Sequence, residues 1–352
     1  MEPTPGNFRL STDFSNRKIK VDCVLMQRSM ENESNSLALT LSDGKLADAM
    51  DRTRSKMDEA QLQELLVKIR NWGKWGPDDQ LGALNYVTPE KRSQAARSVR
   101  DGRVVSLALA LSTAASPDNS RPVTHVMMHT GQRPVSADFF SISTHGSAVT
   151  HLDALCHYYH DGLMYNGYPS ALVTPGGARK DSIDAIRDGI FTCGVLLDIP
   201  RLKGKLWLEP REPLYPEDLE AAEKFHQVRV ERGDALLIRI GRHARTRARG
   251  PADLQHQGEA GLHACCLEWL HERQIAILGS DGVNDVIPNG YSIDPIHAGA
   301  LASMGVHLID NCDLEPISDI CASTQRYAFL LTAAPLVLKG GTGSPVNPIA
   351  VF

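Results

Sequence analysis

From Asp58 onward the chain switches repeatedly between two hydrophobic periods. Leu62, Leu65, Leu66, Ile69 and Trp72 recur at the spacing of one helix face, which predicts an amphipathic helix. Thr88-Pro89-Glu90 reads as an N-cap, a proline in the first turn and an acidic residue, opening a helix to about residue 99. Further helices are predicted from Pro216 to about His226, over 262–273 with Cys265, Cys266, Trp269 and Leu270 on its apolar side, and over 297–304. Alternating or continuous apolar runs predict strands at 103–111, 138–149, 193–199, 234–240, 275–279, 306–309 and 329–338. Helices and strands interleave, so the fold class is α/β, with too many strand-rich segments for a purely parallel sheet.

No internal repeat and no linker breaks the chain after residue 58, which predicts one domain over 58–352. Residues 1–57 are polar and aperiodic and read as a poorly ordered N-terminal extension. Met26, Met30, Met50 and Met57 are alternative starts within it. A loop punctuated by Gly73, Gly76 and Pro77 carries Trp72 and Trp75. Those rings are candidates for a substrate-binding lid or wall over a pocket, or for an interdomain plug. Asp161-Gly162 and Tyr165-Asn166-Gly167 are turn signals. The glycine-rich segment 340–345 lacks the Lys-Ser/Thr of a phosphate loop and the helix after it; a turn against a pocket or another subunit is expected instead.

Composition narrows the function. The chain has 352 residues, 42% hydrophobic and 22% charged, with a net charge of −5, an ordinary globular composition without the basic excess of a nucleic-acid binder. The run from Arg239 to Arg249, five arginines and His243, reads as a solvated helix or loop. Seven cysteines without regular spacing do not form a disulfide framework and suit reduced, buried thiols. With no apolar leader and no run long enough to span a bilayer, the expectation is a cytoplasmic protein with no membrane partner.

The chemistry concentrates in residues 144–160, where four of the thirteen histidines and Asp153 fall within seventeen residues. Histidine with carboxylate is the usual donor set for Zn²⁺ or Mn²⁺. In an extended segment His151 and Asp153 point to one face, and His157 follows at a distance suited to an acid or base. Cys156, between Leu155 and His157, reads as a packing residue rather than a nucleophile, and no Gly-x-Ser-x-Gly elbow is present. Asp281, His297 and Asp310 are secondary polar candidates.

His151-x-Asp153-x-x-x-His157, beside Thr150, resembles the metal motif of the putative cyclase family, which includes bacterial kynurenine formamidases and isatin hydrolases. Blocks at 71–76, 150–157, 165–167, 233–239, 279–281 and 343–348 extend the resemblance across residues 68–352. It implies a swivelling β/β/α fold, a divalent ion (Zn²⁺ or Mn²⁺), and hydrolysis of a cyclic amide, formamide or lactone. It implies His151 and Asp153 as ligands, His157 as proton donor and acceptor, and a homo-oligomer acting on a small molecule. His297 and Asp310 fall near the positions that hold a second ion in two-metal members. The spacing is one residue longer and Asp replaces Glu, which favours one ion. Family members carry a further ligand His four residues before the one matching His151, where this chain has Ser147. His145 is the expected replacement. A straight strand would set it about 20 Å away at ~3.3 Å per residue, so the chain must fold back, and Gly146 permits the bend. A non-catalytic metal- or ligand-binding protein on the same scaffold is the alternative reading.

Overall fold

The computed structural model describes residues 57–132 and 134–352; the predicted extension lies outside them apart from Met57. In chain order the strands are β1 (Val104–Ser106), β2 (Thr124–His129), β3 (Ala137–Ser141), β4 (His151–Asp153), β5 (Val173–Thr174), β6 (Gly177–Ala178), β7 (Ile190–Asp198) and β8 (Pro213–Leu214). There follow β9 (Ala235–Arg239), β10 (Gly261–Leu262), β11 (Ile277–Ser280), β12 (His307–Asp310), β13 (Ala328–Ala333), β14 (Gly343–Pro345) and β15 (Ile349–Val351). Nine of these form one mixed sheet in the order β1-β15-β13-β7-β9-β11-β12-β4-β14. The middle of it, β7-β9-β11-β12, is parallel. Antiparallel strands flank it on both sides.

The central strands read as unbroken apolar runs because both of their faces are buried. Val195, Leu197, Leu236, Ile238, Leu278 and Leu308 enter one hydrophobic cluster. The residues between them, including Leu196, Leu237, Ile277 and Ile309, enter a second. The first cluster is closed by helices Glu59–Lys68, Pro216–His226 and Cys266–Arg273 and by a π-helical turn at Ala298–Met304. The second takes Ile317 and Cys321 from helix Glu315–Thr324. Residues 57–352 thus make one unit with a sheet between two cores, the mixed α/β architecture expected.

Local departures have physical causes. The strand expected at 103–111 pairs only over Val104–Ser106; beyond it, Leu109 donates instead to the Thr150 hydroxyl at 2.9 Å. The run expected at 138–149 ends at Ser141 and pairs with β2 in a separate two-stranded hairpin, because its partner strand begins at Thr124, opposite Ser141. The helix expected from 262 starts at Cys266, since Gly261–Leu262 pair in parallel with β8. The helix expected over 297–304 is π-helical from Ala298, and the last long strand stops at Ala333. The segment expected as a simple glycine-rich turn contains β14, which pairs with β4. The basic run is not uniformly solvated: Arg239 and Arg242 are buried, Arg239 between Asp198 (2.8 Å) and Glu315 (2.9 Å). No helix among the described residues is long and apolar enough to cross a membrane.

Candidate metal centre

Strand β4 sits between β12 and β14, with His151 opposite Asp310 and Asp153 opposite Gly343. Leu152 turns into a hydrophobic cluster, so the strand's period of two sends His151 and Asp153 to the other face. His151 donates its Nδ1–H to the Val149 carbonyl at 2.8 Å. That contact fixes the tautomer and aims Nε2 inward, 3.4 Å from Asp153 Oδ1.

His145 reaches the same place because the chain does fold back. Gly146 adopts φ 141°, and the His145 ring lies edge-on to His151 with centroids 5.2 Å apart. Its Nδ1 comes to 3.0 Å from Asp153 Oδ1, and its Nε2 meets the Thr342 hydroxyl at 2.9 Å. Ser147 instead donates its hydroxyl to the Asp118 carbonyl at 2.9 Å. The ring fits only because residue 343 is glycine: a Cβ there would lie 2.8 Å from His145 Cε1 and 2.8 Å from the Leu152 carbonyl oxygen.

Two groups of donor atoms share Asp153. One is His145, His151 and Asp153, and the other is Asp153, His297 and Asp310, each with its donor atoms within 4.8 Å of one another. The second group is braced from behind. Asp285 binds His297 Nδ1 at 2.6 Å, and Asn284 donates to Asp310 at 2.6 Å. His307, fully buried, donates to the Asp153 carbonyl oxygen at 2.9 Å.

Asp153 is fully buried. His145 Nδ1 and His151 Nε2 lie close to its Oδ1, but neither carboxylate oxygen takes a well-aligned hydrogen bond among the described residues, and His145 Nδ1 makes none. Buried polar atoms are normally satisfied, and a buried carboxylate ringed by poorly aligned imidazoles is costly. A divalent cation meets that demand, and nitrogen plus carboxylate donors suit one such as Zn²⁺ or Mn²⁺. Without it, protons take its place. Burial works against charge on His151, but Asp153 and Asp310 outweigh it and raise the imidazole to about 9. Burial likewise opposes charge on His297, where Asp285, Asp310 and Asp153 prevail, to about 10. Asp153, despite its burial, is held well below the usual carboxylate range by the surrounding histidines.

His157 stacks on His145 with ring centroids 3.7 Å apart and lies 6.3 Å from His297. Burial, reinforced by the neighbouring imidazoles and opposed by Asp153, lowers it to about 4, so it is neutral at pH 7. Asp281 is not part of either group; its carboxylate accepts from the backbone N–H groups of Ile240, Gly241 and Arg242 at 2.7–3.0 Å. Trp72 donates its indole N–H to the Ala302 carbonyl at 2.7 Å and covers Gly167. Trp75 meets Tyr86 edge-on at 5.0 Å. Both are packing contacts within residues 57–352. Cys156 packs as expected, its thiol pushed up by burial to about 12. Sequence reading missed Asn284 and Asp285, which continue the polar run after Asp281. It also missed His307, Thr342 and Tyr158, whose ring lies 5.7 Å from His297.

Several known proteins resemble this chain. Residues 83–284 match the family described as putative cyclase. A solved structure described as a novel cyclase is 32% identical with a TM-score of 0.73, covering 80% of this chain and 99% of that one. Isatin hydrolase A from Ralstonia solanacearum is similar in fold at 21% identity and a TM-score of 0.53, covering 74% and 95% of the two chains. Isatin hydrolase A from Labrenzia aggregata is similar at 20% and 0.51, covering 73% and 96%. No curated protein matches the chain. The chain belongs to the putative cyclase family.

Proposed function

We propose that this protein is a metal-dependent hydrolase that opens a cyclic amide or lactone, or cleaves a formamide. The observation that carries the proposal is Asp153, a fully buried carboxylate that takes no well-aligned hydrogen bond, set among three imidazoles and a second carboxylate. His145, His151 and Asp153 would hold the ion, with His297 and Asp310 able to hold another beside the shared carboxylate. When bound, a divalent ion supplies Lewis acidity to the substrate carbonyl and acidifies the attacking water. His157, neutral at pH 7, takes the proton from that water and returns it to the leaving nitrogen or oxygen. Its stacking on His145 keeps the imidazole beside the reacting atoms. The isatin hydrolases of similar fold support a cyclic amide as the first substrate class to try.

The test is elemental mass spectrometry of protein purified without a histidine tag, followed by a panel of cyclic amides, formamides and lactones. About one equivalent of Zn or Mn, with turnover of one class, is the expected result, and about two would bring His297 and Asp310 into the site. No metal even after incubation with Zn²⁺ or Mn²⁺ would turn the assignment to a non-catalytic binding protein.

A further inference from the structure

A ligand at position 145 in place of 147 requires that the loop between Ser141 and His151 be held in a shape that no strand pairing enforces. Its carbonyls need donors, and two buried side chains supply them. Arg242 donates Nη2–H to the Ser147 carbonyl at 2.7 Å. Asn311 donates its Nδ2 hydrogens to the carbonyls of Gly146 at 2.7 Å and Val149 at 3.1 Å. The two are joined, Arg242 Nη1 to Asn311 Oδ1. Arg242 is further fixed by Glu259 at 2.9 Å and by its own N–H on Asp281 at 3.0 Å. Asn311 accepts at its backbone oxygen from the Thr150 hydroxyl at 2.6 Å. The Val149 carbonyl that Asn311 grips is the one that orients His151 through Nδ1. One clamp therefore sets the bend that delivers His145 and the tautomer of His151.

Resting on the reading of His145 as a ligand, we infer that Arg242 and Asn311 are positioning residues for the metal centre. They act on the ion through the backbone carbonyls of Gly146, Ser147 and Val149. Asn311→Asp is the discriminating change. It is nearly isosteric and keeps an oxygen for Arg242, and aspartate tolerates the left-handed φ of 57° found there. It replaces the donor that faces two carbonyls with an acceptor.

The experiment is a double-mutant cycle read on Zn²⁺ affinity by competition with a chelator, using the full metal-free chain. Thermal melting checks that each variant folds. Asn311→Asp is expected to weaken Zn²⁺ binding about 10- to 100-fold, the cost of losing a group that orients a ligand. In a His145→Ala background the further loss should be at least about threefold smaller, because only the path through the Val149 carbonyl to His151 is left for it to act on. Equal losses in both backgrounds, or no loss in the parent, would overturn the clamp. A His145→Ala chain that binds Zn²⁺ as tightly as the parent would instead sink the ligand reading itself. Should Asn311→Asp not fold, Arg242→Lys takes its place in the same cycle. It keeps the charge beside Glu259 and loses the donation to Ser147, with the same outcomes deciding.

Discussion

At the scale of single residues, Asp153 and His157 divide the work in a way that substitutions can separate. Asp153 belongs to both donor groups, so Asp153→Ala should abolish stoichiometric metal. His157 stands in neither group, so His157→Ala should keep the ion and lose turnover by about 10²- to 10⁴-fold, the usual worth of a positioned acid–base group. Metal content and kcat measured on the same preparations check both; two fully active variants would refute the assignment. The proton balance gives a second expectation. In the metal-free chain His151 and His297 stay protonated up to about 9 and about 10, yet a ligating imidazole must be neutral. Binding at pH 7 should therefore release about one proton if His151 alone is engaged and about two if His297 joins it. Apparent affinity should rise with pH, roughly tenfold per unit for each proton released, and level off above pH 9–10. Chelator competition between pH 6 and 10 measures the slope, and a flat profile would show that these imidazoles do not hold the ion.

At the scale of elements, the centre depends on how β4 is flanked. On the β14 side Gly343 leaves room for the His145 ring, and a methyl group there would also strike the Leu152 carbonyl, which cannot rotate away. Gly343→Ala should cost about 1–3 kcal/mol as an overpacking change and should displace His145. Melting temperature and Zn²⁺ affinity should then fall together, whereas loss of stability with unchanged affinity would place His145 outside the ligand set. This dependence was not legible in the sequence, where residues 340–345 showed turn chemistry and no strand period. The His151-x-Asp153 pair was legible, because a period of two fixes a shared face wherever the partner strands lie. So were the buried runs that became β7, β9, β11 and β12, whose apolar continuity marks strands covered on both faces. The π-helical turn after His297 was hidden because it differs from an α-helix by a single residue in its local hydrogen-bond period, which the apolar spacing does not record. The clamp formed by Arg242 and Asn311 was hidden because it joins residues far apart in the chain. Arg242 even belonged to a run whose composition alone suggests a solvated surface.

At the scale of the molecule, the β2–β3 hairpin stands apart from the nine-stranded sheet and each of its strands has a single paired neighbour. Two strands make a marginal structure in water, yet this one exposes Val126, Met127 and Met128 on one strand, Phe139 and Phe140 on the other, and Val135 between them. Neighbouring residues on a strand face opposite ways, so both faces of the hairpin are apolar. Each of these side chains is 48–63% exposed. At roughly 100 Å² apiece for partly exposed groups of this size, the arm exposes about 600 Å² in all, about 300 Å² on each face, where about 300 Å² is already a sizeable single patch for a monomer. The total approaches the ~800 Å² that each partner contributes to a standard interface. We therefore expect the chain to associate with copies of itself through this hairpin, each copy gripping both faces of its neighbour's arm. Light scattering coupled to size exclusion should give a multiple of 38.5 kDa. A chain carrying Phe139→Lys and Phe140→Lys should run as a folded monomer, because adjacent strand residues put one like charge on each face of the hairpin and each would have to be buried. A parent that is monomeric at micromolar concentration, or a charged variant that still assembles, would mean that the hairpin is covered by something else.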